Sequence, residues 1–353
     1  MGMSRSLGKA GPLIAGLPPA YFALVMSTGI VSIACHLSGF QFLALSLFWL
    51  NVGFYVILWQ LSFIRLIFYY SELLADFRSY SRGFGFLTIV AGTCILGNQF
   101  IILMGSPRIA VGLLCFGTAL WLWFIYGLLT SLTIKGDKPS LDEGINGIWL
   151  MVTVSTQSVS ILICLVSSHC PAQRELLQFA SFCLFLVGGL FYFLIITLIF
   201  YRVIFLPLGP RDLTPPYWIS MGAAAIGTLT GATLTAHSQG SPFLQQVHQF
   251  LVGCTVLFWS VATWWIPLLL ILGIWRHFIG KINLSYSHQY WGMVFPLGMY
   301  TVCTVRLSEI TQLPIFMEIS HYFIYAALTA WLLTFAGLIR SLLRSLGASA
   351  RPV

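Results

Sequence analysis

Residues able to do acid–base, nucleophilic or metal chemistry are few in this 353-residue chain, and they are scattered. His237 and His248 stand 11 residues apart in one loop, too loosely constrained for a metal pair, and His36 and His321 are single residues near the ends of apolar runs. Asp137, Asp142 and Glu143 fall among Lys135 and Lys138 in a polar stretch that reads as a solvated linker, not a catalytic carboxylate pair. No Cys-x-x-Cys pair and no Gly-x-x-x-x-Gly-Lys loop occurs, so no zinc site, no ATP site and no cofactor is expected. Of the 8 cysteines, Cys170 alone falls outside the apolar runs, which argues against a disulfide framework. What the chain has in quantity is hydroxyl and very small side chains inside apolar stretches. Uncharged hydroxyls stabilise a partly hydrated solute weakly, which suits conduction better than tight capture.

The elements that would position such groups follow from composition. With 58% hydrophobic, 15% aromatic and 7% charged residues, the chain is too apolar for a soluble protein, where about a quarter of positions are charged. Ten stretches of about 20 residues or more can each cross the ~30 Å hydrocarbon layer as a helix. They lie near 17–38, 42–70, 84–104, 109–132, 145–166, 176–204, 216–236, 243–273, 288–306 and 318–342. The resulting plan is all-α: an N-terminal segment 1–16, one transmembrane domain 17–342, and a tail 343–353. Alternating loops then place 14 of the 17 basic residues on the side of Arg5 and Lys9, leaving only Arg108, Arg174 and Arg306 opposite. Cytoplasmic loops retain Lys and Arg, so both termini are expected inside a cytoplasmic membrane. The same dispersion over short loops accounts for the net charge of +8 without nucleic acid as a partner.

Odd and even spans differ. The odd ones carry Ser27, Thr28, Gly29 and Ser32, then Thr88, Gly92, Thr93 and Gly97, then Thr153, Ser155, Thr156, Gln157 and Ser160. The seventh, from Gly222 to Ala236, reads GAAAIGTLTGATLTA, whereas the second is crowded with Phe, Trp, Tyr and Leu. Small and polar residues belong inside and bulky apolar ones against lipid, so five inner helices screened by five outer ones are expected. The inner spans begin PPAYF, RGFGF, NGIWL, PPYWI and HQYWG, with Tyr21, Phe86, Trp149, Trp218 and Trp291 separated by 65, 63, 69 and 73 residues. That is the trace of a repeated helical hairpin, although an interfacial aromatic belt would leave a similar one. Five tandem hairpins in a quasi-five-fold ring would enclose a central passage. Thr28, Ser32, Thr88, Gly92, Thr153, Thr156, Gln157, Ser160, Ala224, Gly227, Thr228 and Gly231 are then candidates to line it. Gly227 and Gly231 also fit a Gly-x-x-x-Gly packing pair.

The stretch YWGMVFPLGMYTVCTVRLSE from Tyr290, with PPAYFALVMSTGIVSIA from Pro18 and NGIWLMVTVSTQS from Asn146, resembles the tellurite-resistance/dicarboxylate transporter family. This family includes the TehA-like proteins and the guard-cell slow anion channels, and the resemblance spans essentially the whole chain. It implies a homotrimer in which every protomer has its own pore, small anions as substrates, and a phenylalanine plug on the ninth helix. The matching position is Phe295, within Phe-Pro-Leu-Gly, whose Gly298 is a further lining candidate. Pro296 removes a backbone hydrogen bond in mid-span, so it bends the helix beside that ring; Phe295 as ordinary packing next to a kink is the alternative. No span has a carboxylate near its middle, so anions meet no fixed repulsion. Arg306, three turns beyond Phe295, either attracts anions at the outer mouth or pairs with Glu309. The functional expectation is a channel or transporter for small anions such as a C4-dicarboxylate, chloride, nitrate, sulfite or a tellurite-type oxyanion. A proton-coupled dicarboxylate carrier or sulfite exporter is the nearest alternative, with His36 its one candidate proton site. An integral-membrane enzyme would need clustered His or carboxylates in one plane, which are missing, so no enzymatic activity is expected.

Overall fold

The computed structural model describes residues 11–349, so Arg5, Lys9 and Arg351 and the outermost parts of the two expected terminal segments lie outside the described residues. The described chain is helical, without strands. Ten long helices follow one another: α1 Ala23–Leu37, α2 Gln41–Phe68, α3 Leu87–Ile102, α4 Pro107–Thr133, α5 Met151–Ser167, α6 Arg174–Phe205, α7 Ile219–Ala236, α8 His248–Ile274, α9 Trp291–Thr311 and α10 Pro314–Ser349. Among the described residues, nine helices are long and apolar enough to cross a membrane. The other long helix, α9, runs 21 residues but mixes Thr301, Thr304, Arg306, Ser308 and Glu309 with its apolar side chains. The chain is thus a helical integral membrane protein.

Tight turns join the two helices of a pair. Gly39 and Gly105, between α1 and α2 and between α3 and α4, have φ of +85° and +57°, a backbone region that glycine enters without a Cβ clash. Gln312 does the same between α9 and α10 at +58°. Every odd helix is preceded by a short 3₁₀ turn: Pro19–Phe22, Gly83–Phe86, Gly147–Leu150, Pro215–Trp218 and His288–Tyr290. These turns are the repeated aromatic starts seen in the sequence. Pro19 and Pro215 open theirs, where a missing N–H leaves nothing unpaired.

Each odd helix packs on the even helix that follows it. The odd helices also pack in order, α1 on α3, α3 on α5, α5 on α7 and α7 on α9, and α9 returns to α1. The five 3₁₀ turns close a second cycle of contacts at the same end. Gly147 permits part of that closure, because a Cβ there would meet the backbone carbonyl of Pro216. Burial divides as small and bulky composition requires: the apolar windows of α1, α3, α5 and α7 are 78–94% buried, those of the even helices 22–39%. Phe42, Trp123, Phe205 and Leu333 stand on the exposed face of the even helices, as apolar groups facing lipid do.

A repeated polar contact ties each even helix to the odd helix of the next pair. The phenol of Tyr55 on α2 lies 3.0 Å from the Thr93 hydroxyl on α3, and Trp121 of α4 donates to Thr156 of α5 at 3.0 Å. Tyr192 of α6 donates to the Ser220 carbonyl of α7, Trp259 of α8 to Thr304 of α9, and Trp331 of α10 to Thr28 of α1. Where water is excluded, an indole or phenol donor must find an acceptor within the protein, and here the odd helices supply it.

Candidate functional site

Two cavities lie along the odd helices. The first, about 490 Å³, opens where those helices begin, and all five 3₁₀ turns or the helix starts beyond them contribute to its wall. The second, about 120 Å³, opens where they end and is walled by α1, α3, α5, α7 and α9 together with His237 just beyond α7. On α9 the wall residues run Gly292, Phe295, Met299, Val302 and Arg306. This is helical spacing along one face, so the two cavities are stacked on the same stripe. Similar stripes run through Met26, Ile30 and Ile33 on α1, and through Ile219, Ile226 and Leu229 on α7. Phe295 is 1% exposed and is the inward ring at the closed end of the first cavity, one turn before Met299 of the second.

Neighbouring backbones hold that ring in place. Pro296 lies inside α9 and packs on Gly222 of α7, where a Cβ would come 2.7 Å from the proline ring. Gly298 faces the other way, and a Cβ there would lie 2.9 Å from Ile30 and 3.1 Å from Val31 of α1. Residues 296 and 298 flank 295 on a helical wheel, so α9 is wedged between α7 and α1 with Phe295 directed between them. Gly298 is therefore a packing residue.

The hydroxyl-lined wall expected from sequence is not what forms. Of the polar lining candidates Thr88 alone reaches a cavity, the first, while donating to the Gly85 carbonyl at 2.7 Å. Thr28 and Thr156 accept the indoles named above, and Ser32 donates to the Ala44 carbonyl of α2. Gln157 and Ser160 donate to the carbonyls of Phe185 and Ser181 on α6. Thr228 donates to the Ala224 carbonyl on its own helix, and Thr153 is enclosed with no partner for its hydroxyl among the described residues. Gly92 admits Val25 of α1, Gly227 admits the Phe258 ring of α8, and Gly231 admits Thr255 of α8 and Phe185 of α6. Ala224 is buried off both walls. Thr153 apart, the hydroxyl and amide groups are stabilised by bonding a neighbouring helix or their own preceding turn, so their polarity marks helix contacts and not the cavity walls. The second cavity is instead walled mainly by Ile, Leu, Met, Val and Ala.

Charge collects at the two mouths. The first cavity carries Arg82, Arg202, Arg211 and His288 with Glu143 and Asp212 on its wall, and the positive ends of the five odd helices open around it. Arg202 is 8% exposed, donates to the Ile145 carbonyl, and has no carboxylate in ion-pair contact among the described residues. Sequence reasoning passed over it; a lone Arg near the end of an otherwise apolar span was the available signal. His288 stacks on Tyr21 at 5.7 Å. Asp76 is buried behind this mouth and bridges Arg65 at 2.6 Å to Arg82 at 2.8 Å. At the second mouth Arg306 pairs with Glu309 at 2.8 Å, both on the wall. The ion-pair alternative is thus the one adopted. His36 bonds the Gln41 side chain at 2.8 Å and stands off both cavities.

The family described as "Voltage-dependent anion channel" matches residues 16–339. An uncharacterized membrane protein of Mycobacterium tuberculosis H37Rv is 37% identical over 155 residues, covering 44% of this chain and 78% of that protein. Two uncharacterized transporters of Methanocaldococcus jannaschii match almost end to end. One is 23% identical over 91% of this chain and 92% of its own length, the other 21% identical over 89% and 92%. With the match extending over nearly every helix, the chain belongs to the voltage-dependent anion channel family of membrane channels and transporters.

Proposed function

We propose that the protein passes small anions across the cytoplasmic membrane through a central passage, with Phe295 as its plug. Ten helices span the bilayer in this reading, as five tandem hairpins in a quasi-five-fold ring, and the basic first cavity faces the cytoplasm by the positive-inside rule. The observation that carries it is the pair of cavities stacked on the same five helices and interrupted at the Phe295 ring. A wide polar mouth gathers the ion. A narrow apolar segment then strips part of its hydration, and the ring blocks that segment until it swings aside. Chloride, nitrate, sulfite and C4-dicarboxylates are the substrate class, and a homotrimer with lipid against the remaining even-helix surface is the assembly that the family implies.

The test is Phe295→Ala in planar bilayers. Opening the constriction raises anion conductance by about an order of magnitude. Conductance equal to wild type in a correctly folded variant would remove the gate. The proton-coupled alternative gains no support from the walls, because their ionisable groups gather at the mouths and His36 is absent from them.

A further inference from the structure

The apolar second cavity contains one polar side chain that nothing else in the fold uses. Asn98 on α3 is 4% exposed and lies on its wall. Its Oδ1 is enclosed without a partner, and among the described residues the side chain makes no hydrogen bond, which leaves the amide N–H₂ as the end that meets the cavity. The other polar groups on this wall are committed. Ser158 donates to the Val154 carbonyl at 2.8 Å and Thr233 to that of Leu229 at 2.7 Å. His237 directs one ring nitrogen at the Thr233 carbonyl, and Arg306 is held by Glu309 at the mouth.

A buried amide without a partner is unfavourable, and an apolar side chain of similar branching would avoid that penalty. We infer that Asn98 is the selectivity-determining residue of the passage, its amide N–H groups replacing part of the hydration shell of a compact anion just beyond Phe295. This rests on the anion-passage reading above. The donor binds most strongly to the anion of highest charge density, which also loses most hydration in the apolar segment. Asn98 therefore favours chloride relative to the larger, more weakly hydrated nitrate.

The experiment is a bi-ionic reversal-potential measurement with chloride and nitrate, made on Phe295→Ala and on the double variants that add Asn98→Leu or Asn98→Asp. Asn98→Leu is expected to raise the nitrate-to-chloride permeability ratio about threefold, roughly half the weight of one hydrogen bond to a charged group, because nitrate also accepts from the amide, only more weakly. Asn98→Asp keeps the shape and, at alkaline pH where even a desolvated carboxyl ionises, adds a negative charge, so anion current falls at least tenfold there while the size-exclusion profile stays that of the parent. A ratio unchanged in Asn98→Leu, or full anion current in Asn98→Asp at alkaline pH, overturns the inference. If the Phe295→Ala parent itself carries no anion current, the passage reading fails first and the two failures are told apart.

Discussion

The two cavities differ in kind, although the same five helices build both. The one at the helix starts is about 490 Å³, framed by interlocked 3₁₀ turns and walled by charged and polar groups. The one at the helix ends is about 120 Å³, walled mainly by Ile, Leu, Met, Val and Ala, with the Arg306–Glu309 ion pair at its rim. The difference divides the work. In the proposed passage an ion keeps most of its water in the first and sheds it in the second, with Phe295 at the boundary. It also divides stability, because the first half is held by buried charge and close backbone contact, the second by apolar packing.

The largest expected effect therefore lies behind the first cavity. Asp76 holds Arg65 at 2.6 Å and Arg82 at 2.8 Å, and the side chains of Arg65 and Asp76 are only 5% and 7% exposed. Arg65 also donates to the Ala15 carbonyl, so one carboxylate links the chain before α1, the end of α2 and the turn before α3. Asp76→Ala leaves a buried guanidinium without its counter-charge, and a loss of about 3–5 kcal/mol in unfolding free energy in detergent is expected. A variant as stable as wild type would show that charge does not frame this half.

A smaller effect distinguishes a polar lining from a polar seam. Thr28 accepts the Trp331 indole at 3.1 Å, so Thr28→Val strands a buried donor. A stability loss of about 1–3 kcal/mol is expected, with permeability ratios unchanged. Altered ion selectivity with intact stability would return Thr28 to the lumen and restore the hydroxyl-lined passage.

That prediction isolates what sequence could and could not reveal. Sorting helices into inner and outer was legible, because Gly222 to Ala236 has almost nothing large enough to face lipid and the second helix has little else. That Phe295 lines the first cavity was legible only through the family motif it matches. Which face of an inner helix meets the cavities was not. Thr28, Thr156 and Ser160 were read as lumenal because a hydroxyl suits water, yet a hydroxyl away from water is also the acceptor that Trp331, Trp121 or a neighbouring helix needs. The usable signal was the opposite pattern: Ile30 with Ile33, Ile95 with Ile102, Ile161 with Leu165, and Met299 with Val302, apolar at helical spacing on otherwise small or polar helices. Asn98 interrupts one of these stripes.

The smallest effect on stability is expected at the rim of the second cavity, where the same substitution separates folding from conduction. Arg306 and Glu309 pair at 2.8 Å with side chains 33% and 44% exposed. Exposed pairs of this kind contribute about 0–1 kcal/mol, so Glu309→Ala barely moves the unfolding transition. It does remove the carboxylate that neutralises Arg306 on the cavity wall. A free guanidinium there concentrates anions, so single-channel anion conductance in the Phe295→Ala background rises about two- to threefold at low salt, and the gain shrinks as added salt screens the charge. Asp76→Ala predicts the reverse profile, a large stability loss with no salt-dependent gain. If Glu309→Ala destabilises as much as Asp76→Ala, or leaves conductance unchanged at every salt concentration, the contrast between a charge-framed half and an apolar half does not hold.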